Sequence, residues 1–367
     1  MPRRTDRKHG VLLLDTREHT PDHERAVHRK LAEHLAALLL TEVVEQRSGE
    51  HDDLYYLPTS TLIDPEQYRH QGITSIEDFF GGLVAHPYMA TKAISHPLPA
   101  GANFPLGWTD EFARRASDAL LKGYTVFSID DALAAAPLLL RDGALRLKPV
   151  RATAGRGQRV IGALTELEAE LRQMDPDELA LWGLVLEENL ADVATFSVGQ
   201  ALVAGITCSY YGVQHLTRDH QGESVYGGSD LVLVRGGYDE LLQLELDDPL
   251  RLAITQARTY EQAAIDAFPG FLASRRNYDV ARGLTAEGHV RSGVLEQSWR
   301  IGGASSAELL ALRAFAEDPA LRRVRASTHE VFGDAALPAD ATLFYKGDDR
   351  EVGRICKYAR IRDYDHP

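Results

Sequence analysis

The segment LRLKPVRATAGRGQRVIGAL, residues 145–164, sets a lysine, Lys148, just before a glycine-bearing loop and an apolar run just after it. The chemistry on offer is phosphate binding. Glycines at 155 and 157 let backbone amides approach an anion that a side chain would hold off, and the Lys148 ammonium supplies the opposing charge. Thr153, Ala154, Gly155, Arg156 and Gly157 are the loop candidates. Three well-known designs do not fit. A Walker loop closes on lysine and a hydroxyl residue, whereas Gly162 is followed by Ala163 and Leu164. A dinucleotide fingerprint runs directly into a helix, but RVIGAL is β-branched and apolar, with Val160 at the third glycine position. A protein-kinase loop precedes the strand that carries its lysine, and here Lys148 comes first. A strand–loop–strand phosphate cradle remains, beside a plain surface hairpin.

The elements that must position these groups alternate along the chain without a period of the kind that marks repeats, so the expected class is α/β, with α+β character in the later part. Residues 11–14 read as a first strand. A helix follows with Thr20 as cap, Pro21 at its first position and Val27, Leu31, Leu35 and Leu38 on one stripe. Residues 94–107 hold three prolines and two glycines and mark a domain boundary. Thr109 is expected to cap a helix that stops at Gly123, and YTVFS begins a new set of strands. A capping box at Thr165 and Glu168 predicts a helix broken before Pro176. LWGLVLEENL is a strand ending in acids, residues 194–216 form two or three strands, and residues 249–267 a helix capped by Asp248. A further strand from about 289 leads to a helix capped by Ser305. Residues 224–230, SVYGGSD, read as a flexible loop near an acceptor substrate. After Asp318 a helix is expected, then strands at 343–346 and 355–358 as an exposed hairpin and tail.

Composition narrows the function. With 367 residues the chain can form two or three domains. Two cysteines, Cys208 and Cys356, exclude a disulfide framework and a cysteine-built metal site. A net charge of −14 disfavours a nucleic-acid partner. No apolar stretch approaches the roughly 18 residues of a membrane span, and the start reads as a strand rather than a signal peptide, so a cytoplasmic protein is expected. His19, His23 and His28 lie on a polar helix start without an acid or cysteine at zinc spacing and are expected to be solvated.

LKPVRATAGRGQ, LVLEENL, and NYDVARG followed by VLEQSWRIGGAS occur in that order, and in this residues 109–315 resemble the ATP-grasp superfamily, more particularly a bacterial branch labelled biotin carboxylase-like. The resemblance implies a Rossmann-like N-terminal domain over residues 1–107, an ATP-grasp small lobe over 108–186, a large lobe over 187–315 with mainly antiparallel sheets, and a C-terminal extension over 316–367. It implies that Lys148 and the glycine loop hold ATP phosphates, that backbone groups near Glu188 and Asn189 with the Glu187 side chain read the adenine, and that Asp192 contacts the ribose. Asp279 and Glu296 become ligands of Mg²⁺ (or Mn²⁺). They lie 17 residues apart with Gly283 and Gly288 between them, consistent with a hairpin that brings both carboxylates to one face. Ser298 stands where the family has asparagine, a weaker and shorter ligand. Arg300 falls beside the transferred phosphate as an electrostatic catalyst.

The activity so implied is an ATP- and Mg²⁺-dependent ligase that forms an acyl phosphate from a carboxylate and passes it to an amine or other nucleophile. An ATP-dependent kinase on the same fold and a catalytically silent nucleotide-binding protein are the alternatives. Expected partners are small molecules and a second copy in a homodimer, without nucleic acid or membrane.

Overall fold

The computed structural model describes residues 8–47, 49, 53–151 and 157–365. Thr153, Ala154, Gly155 and Arg156 lie outside these described residues. β1 (Gly10–Leu14), α1 (Asp22–Leu38), β2 (Val43–Val44) and β3 (Leu54–Pro58) open the chain. The crossover through α1 makes β1 run parallel to both β2 and β3. The predicted stripe is the docking face: Leu31 and Leu35 are buried, with Val27 and Leu38 packed at its margin. Thr20 does not cap this helix; its hydroxyl donates to Asp15 Oδ1 at 3.2 Å. His19 is exposed, but His23 and His28 are each 5 % exposed. Their expected solvation fails because the C-terminal strands cover the start of α1, where His23 N donates to Asp349 Oδ2 at 2.9 Å.

β4 (Leu62–Ile63), α2 (Pro65–Arg69) and β5 (Gly82–Val84) complete the N-terminal region, with β4 and β5 parallel. Gly82 N donates to the Trp299 carbonyl at 2.7 Å, and a Cβ at Gly82 would stand 2.6 Å from Trp299 Cβ. Only glycine lets this region close on the distant Trp299 segment.

The next unit contains α3 (Glu111–Arg115), β6 (Gly123–Val126), α4 (Ile129–Leu140), β7 (Leu145–Pro149), β8 (Arg159–Ile161), α5 (Leu164–Leu171), α6 (Pro176–Trp182) and β9 (Leu184–Glu188). Its sheet is antiparallel in the order β6-β9-β7-β8. α4 and α5 cover one face, closing a core that includes Ala135, Leu139, Leu147, Leu167 and Leu186. The helix expected from Thr109 to Gly123 stops at Arg115. α4 was not anticipated; Pro137 lies within it and its apolar run hides the helical period. The capping box expected at Thr165 is replaced by Glu166, whose Oε2 accepts from Gly162 N at 2.8 Å.

The remainder comprises β10 (Ala191–Val203), β11 (Ile206–Arg218), β12 (Ser224–Arg235), α7 (Tyr238–Leu242), α8 (Asp248–Ala267), β13 (Leu272–Ala273), β14 (Arg275–Leu284), β15 (Val290–Ser298), α9 (Ser305–Glu317), β16 (Arg323–Phe332), β17 (Thr342–Asp349) and β18 (Gly353–Asp365). β13 pairs with β5. Eight strands form one sheet, ordered β15-β14-β10-β11-β12-β16-β18-β17. α8 packs Ala253, Ile254, Ala257 and Tyr260 into one core, while α9 and α1 share another. Several expectations are corrected here. Residues 224–230 are strand rather than loop, because they pair with β11. The stretch after Asp318 leads into β16, whose alternation buries Val324 and Ala326. The expected exposed tail is instead strand: β18 lies between β16 and β17 with Ile355, Cys356 and Ala359 buried. Asp247, not Asp248, caps α8, accepting from Leu250 N at 2.9 Å. Ala304 rather than Ser305 precedes α9, whose Glu308 turns inward. Among the described residues, no helix is long and apolar enough to cross a membrane.

Candidate active site

Lys148 on β7 and Glu187 on β9 sit on neighbouring antiparallel strands, 2 % and 1 % exposed. The Lys148 ammonium donates to Glu187 Oε1, and His96 Nε2 lies 3.1 Å from Glu187 Oε2. Both oxygens of Glu187 are therefore engaged by protein. Burial by itself would raise this carboxyl, but Lys148 and His96 hold it below the usual carboxylate range. Gly123, at the start of β6, leaves room for His96, since a Cβ there would lie 2.8 Å from its Cε1.

Glu188 and Asn189 close the passage from β9 to β10. Glu188 N donates to the Lys122 carbonyl at 2.8 Å, and Glu188 Oε1 accepts from Lys122 N at 2.8 Å. Asn189 N donates to the Ala144 carbonyl at 3.1 Å, and its Oδ1 accepts from Arg146 at 2.7 Å. These two residues border a cleft of about 490 Å³ that also reaches Asp142, Thr285, His289 and Arg291. Asp192 is exposed with φ +50° at an irregularity in β10, and Gly157 has φ +69° at the end of the loop.

The predicted hairpin is β14–β15, and its register sets Asp279 directly opposite Glu296 and Asn277 opposite Ser298. Alternation puts all four on one face. Asp279 Oδ1 accepts from Gln214 Nε2 at 3.0 Å and from Asn277 Nδ2 at 3.2 Å. Burial, and then the charge of Glu296, push the Asp279 carboxyl up to about 6. Lys92, 4 % exposed in the turn Lys92–Ser95, places Nζ 2.5 Å from Glu296 Oε2. Lys92 and Glu296 also act electrostatically on Lys148, so the two constellations form one charged cluster. Two facing carboxylates, one with its pKa raised by burial and then by the other, suit a hard divalent cation that accepts water and phosphate oxygens as further ligands. The described residues contain no cluster of three or more His, Cys, Asp or Glu side chains able to hold a metal.

Arg275 and Glu308, 1 % and 0 % exposed, brace the far end of this hairpin. Glu308 accepts from Arg275 at 2.7 Å, and the same guanidinium donates to the carbonyls of Ser298 at 3.0 Å and Arg300 at 2.5 Å. The Arg300 backbone is thereby held, and its guanidinium donates to the Ile301 carbonyl at 2.8 Å. Replacing Glu308 with alanine strands a buried guanidinium, an effect of about 3–5 kcal/mol. The expected outcome is a urea midpoint lowered to match, with the slope unchanged.

Lys92, His96, Gln214, Asn277 and Arg275 were missed by sequence reasoning. Asn277 carried a usable signal, its i, i+2 spacing to Asp279 on a strand. Lys92 and His96 lie in a non-periodic stretch and carried none.

Fold and site together define a mixed α/β protein in which a small antiparallel lobe and a long antiparallel sheet bring paired acids and buried lysines into one cluster. A family model described as a protein of unknown function, DUF3182, matches residues 11–359, and the chain belongs to that family. No curated protein matches. Among solved structures it is similar to a biotin carboxylase from Campylobacter jejuni in a β,γ-ATP complex, at 11% identity and TM-score 0.49, covering 98% of this chain and 88% of that one. It is also similar to a D-alanyl-alanine synthetase A from Vibrio cholerae at 11% identity and TM-score 0.46, covering 84% and 97%. A phosphoribosylamine–glycine ligase from Thermotoga maritima gives 11% and 0.43, covering 95% and 91%.

Proposed function

We propose that the protein is an ATP- and Mg²⁺-dependent ligase of the ATP-grasp kind, acting on small molecules. A substrate carboxylate oxygen attacks the γ-phosphorus of ATP, the bond to the β-γ bridging oxygen breaks, and ADP leaves. An amine or other nucleophile then attacks the acyl phosphate and releases inorganic phosphate. The observation that carries this reading is the one charged cluster in which the buried Lys148–Glu187 pair lies near Lys92 and the half-buried, facing carboxylates of Asp279 and Glu296.

Each residue has a definite task in this proposal. Lys148 and the loop Thr153, Ala154, Gly155, Arg156 and Gly157 hold phosphates, with Glu187 and His96 fixing the lysine head in place. The Glu187–Asn189 segment flanks the adenine and Asp192 the ribose. Asp279, Glu296 and Ser298 would hold Mg²⁺ or Mn²⁺, which supplies charge neutralisation at the transferred phosphoryl group. Asn277 and Gln214 orient Asp279 through its Oδ1. Arg300 faces the developing charge, and the rest of the catalysis is positioning. A cytoplasmic location and a homodimer belong to the same proposal.

The test is a thermal-shift titration with ATP, with and without Mg²⁺, on the parent and on Glu296→Ala. Ligand at about 100 times its Kd stabilises the native state by roughly 2.7 kcal/mol. A Mg²⁺-dependent rise in the parent that the variant lacks is expected. A parent that melts at one temperature under all conditions overturns the reading.

A further inference from the structure

The two facing carboxylates of the β14–β15 hairpin present four oxygens, and the protein itself engages two of them. Asp279 Oδ1 accepts from Gln214 at 3.0 Å and from Asn277 at 3.2 Å, and Glu296 Oε2 lies 2.5 Å from Lys92 Nζ. Asp279 Oδ2 and Glu296 Oε1 accept no hydrogen bond among the described residues. One oxygen from each residue is a share that suits a single divalent cation, with water and phosphate oxygens completing its shell.

A pair of ions needs more. Two-metal sites for phosphoryl transfer set their ions about 3.5–4 Å apart, so a carboxylate between them gives one oxygen to each, and a further ligand holds the second ion. The first requirement fails at Glu296, whose Oε2 already carries the Lys92 ammonium. That lysine is 4 % exposed and fixed in place: the Gln297 amide, next along β15, donates to the Thr91 carbonyl at 2.5 Å and ties the turn Lys92–Ser95 to the hairpin. The second requirement fails twice. Ser298 Oγ lies 3.4 Å from the buried Arg275 guanidinium, which donates toward it. The Asn277 amide oxygen is met by Ser197 Oγ and by the Tyr210 hydroxyl, each at 2.8 Å, which engages both of its lone pairs.

We propose that the hairpin binds one divalent cation, on Asp279 Oδ2 and Glu296 Oε1, and that the Lys92 ammonium stands in for a second ion on Glu296 Oε2. The inference rests on the ligase reading and adds to it the number of metal ions and a positioning role for Lys92. By holding one oxygen of Glu296, the lysine presents the other to the ion. Ser298 is left to that ion's water shell.

Manganese is the probe. Bound Mn²⁺ per chain is counted by equilibrium dialysis, and its electron paramagnetic resonance is recorded on the same samples, with and without a saturating non-hydrolysable ATP analogue. The parent is expected to bind one ion per chain, with the spectrum of an isolated ion. Ser298→Asn supplies a longer amide ligand but leaves Lys92 on Glu296, and should still bind one. Adding Lys92→Met to it releases Glu296 Oε2 and should raise the count to two, with the broadened spectrum of a coupled pair. The Glu296 side chain is 29 % exposed, so water can solvate it once the lysine is gone. Melting in metal-free buffer checks that each variant is folded, and Lys92→Gln with Ser298→Asn serves as the second double variant. Two ions in the parent overturn the inference and leave the ligase reading standing. So do two ions in Ser298→Asn alone, or one ion in a folded double variant. If the parent binds one ion and the analogue changes neither its affinity nor its spectrum, the ligase reading fails and the single-ion assignment stands. A parent that binds no ion under either condition overturns both.

Discussion

Replacing Lys148 with methionine is expected to lower stability by about 3–5 kcal/mol and to abolish the response to ATP, two effects with separate causes. The first follows from Glu187, which is 1 % exposed and would keep only His96 to balance its charge. The second follows from loss of the phosphate-binding ammonium. The double variant Lys148→Met with Glu187→Gln separates them: removing both charges should restore most of the stability and none of the nucleotide response. Chemical denaturation and a thermal-shift titration on the three proteins read the two effects independently. A single variant as stable as the parent would show that the buried pair is not ionised. A single variant that still responds to ATP would remove Lys148 from the site.

Asp279→Asn should act in opposite directions on the fold and on the metal. The carboxyl is pushed up to about 6 by burial and by Glu296, against an ordinary value of 3.8. A group whose pKa is raised on folding stabilises the native state below its unfolded pKa, and that contribution is lost as pH rises through the folded one. The ligand-free parent should therefore lose stability between about pH 4 and pH 6 from this source, whereas the asparagine variant should not. Asparagine retains an oxygen for the Gln214 and Asn277 donors. Above pH 6 the variant is expected to be more stable than the parent by roughly 1–2 kcal/mol after allowance for solvent screening, and the difference should vanish near pH 4. Its affinity for Mg²⁺, read through the nucleotide shift, should fall roughly tenfold or more. Equal melting curves across this pH range would show that the two carboxylates do not repel one another.

Local pattern was enough for the elements whose side chains face one environment along their whole length. α1 has its stripe of Val27, Leu31, Leu35 and Leu38, and β9 its apolar run into two acids. The hairpin of β14 and β15 was legible because glycines mark its turn and Asp279 and Glu296 sit at matching distances from it. Caps were read less well. Thr165 and Ser305 satisfy the cap pattern, but the neighbouring Glu166 and the buried Glu308 took other partners, and a pattern cannot weigh competing acceptors.

By itself, the sequence determined the α/β class, the strand that carries Lys148, and the facing of Asp279 and Glu296, because each depends on spacing within a short segment or on one hairpin register. Only the tertiary structure decided how the charges are shared. Lys92 reaches Glu296 across 204 residues of chain, His96 reaches Glu187 across 91, and the C-terminal strands bury His23 and His28 on the opening helix. Such contacts join segments that carry no common period. They exist because a buried charge must find an opposite charge or a hydrogen-bond donor wherever the packed fold brings one within reach.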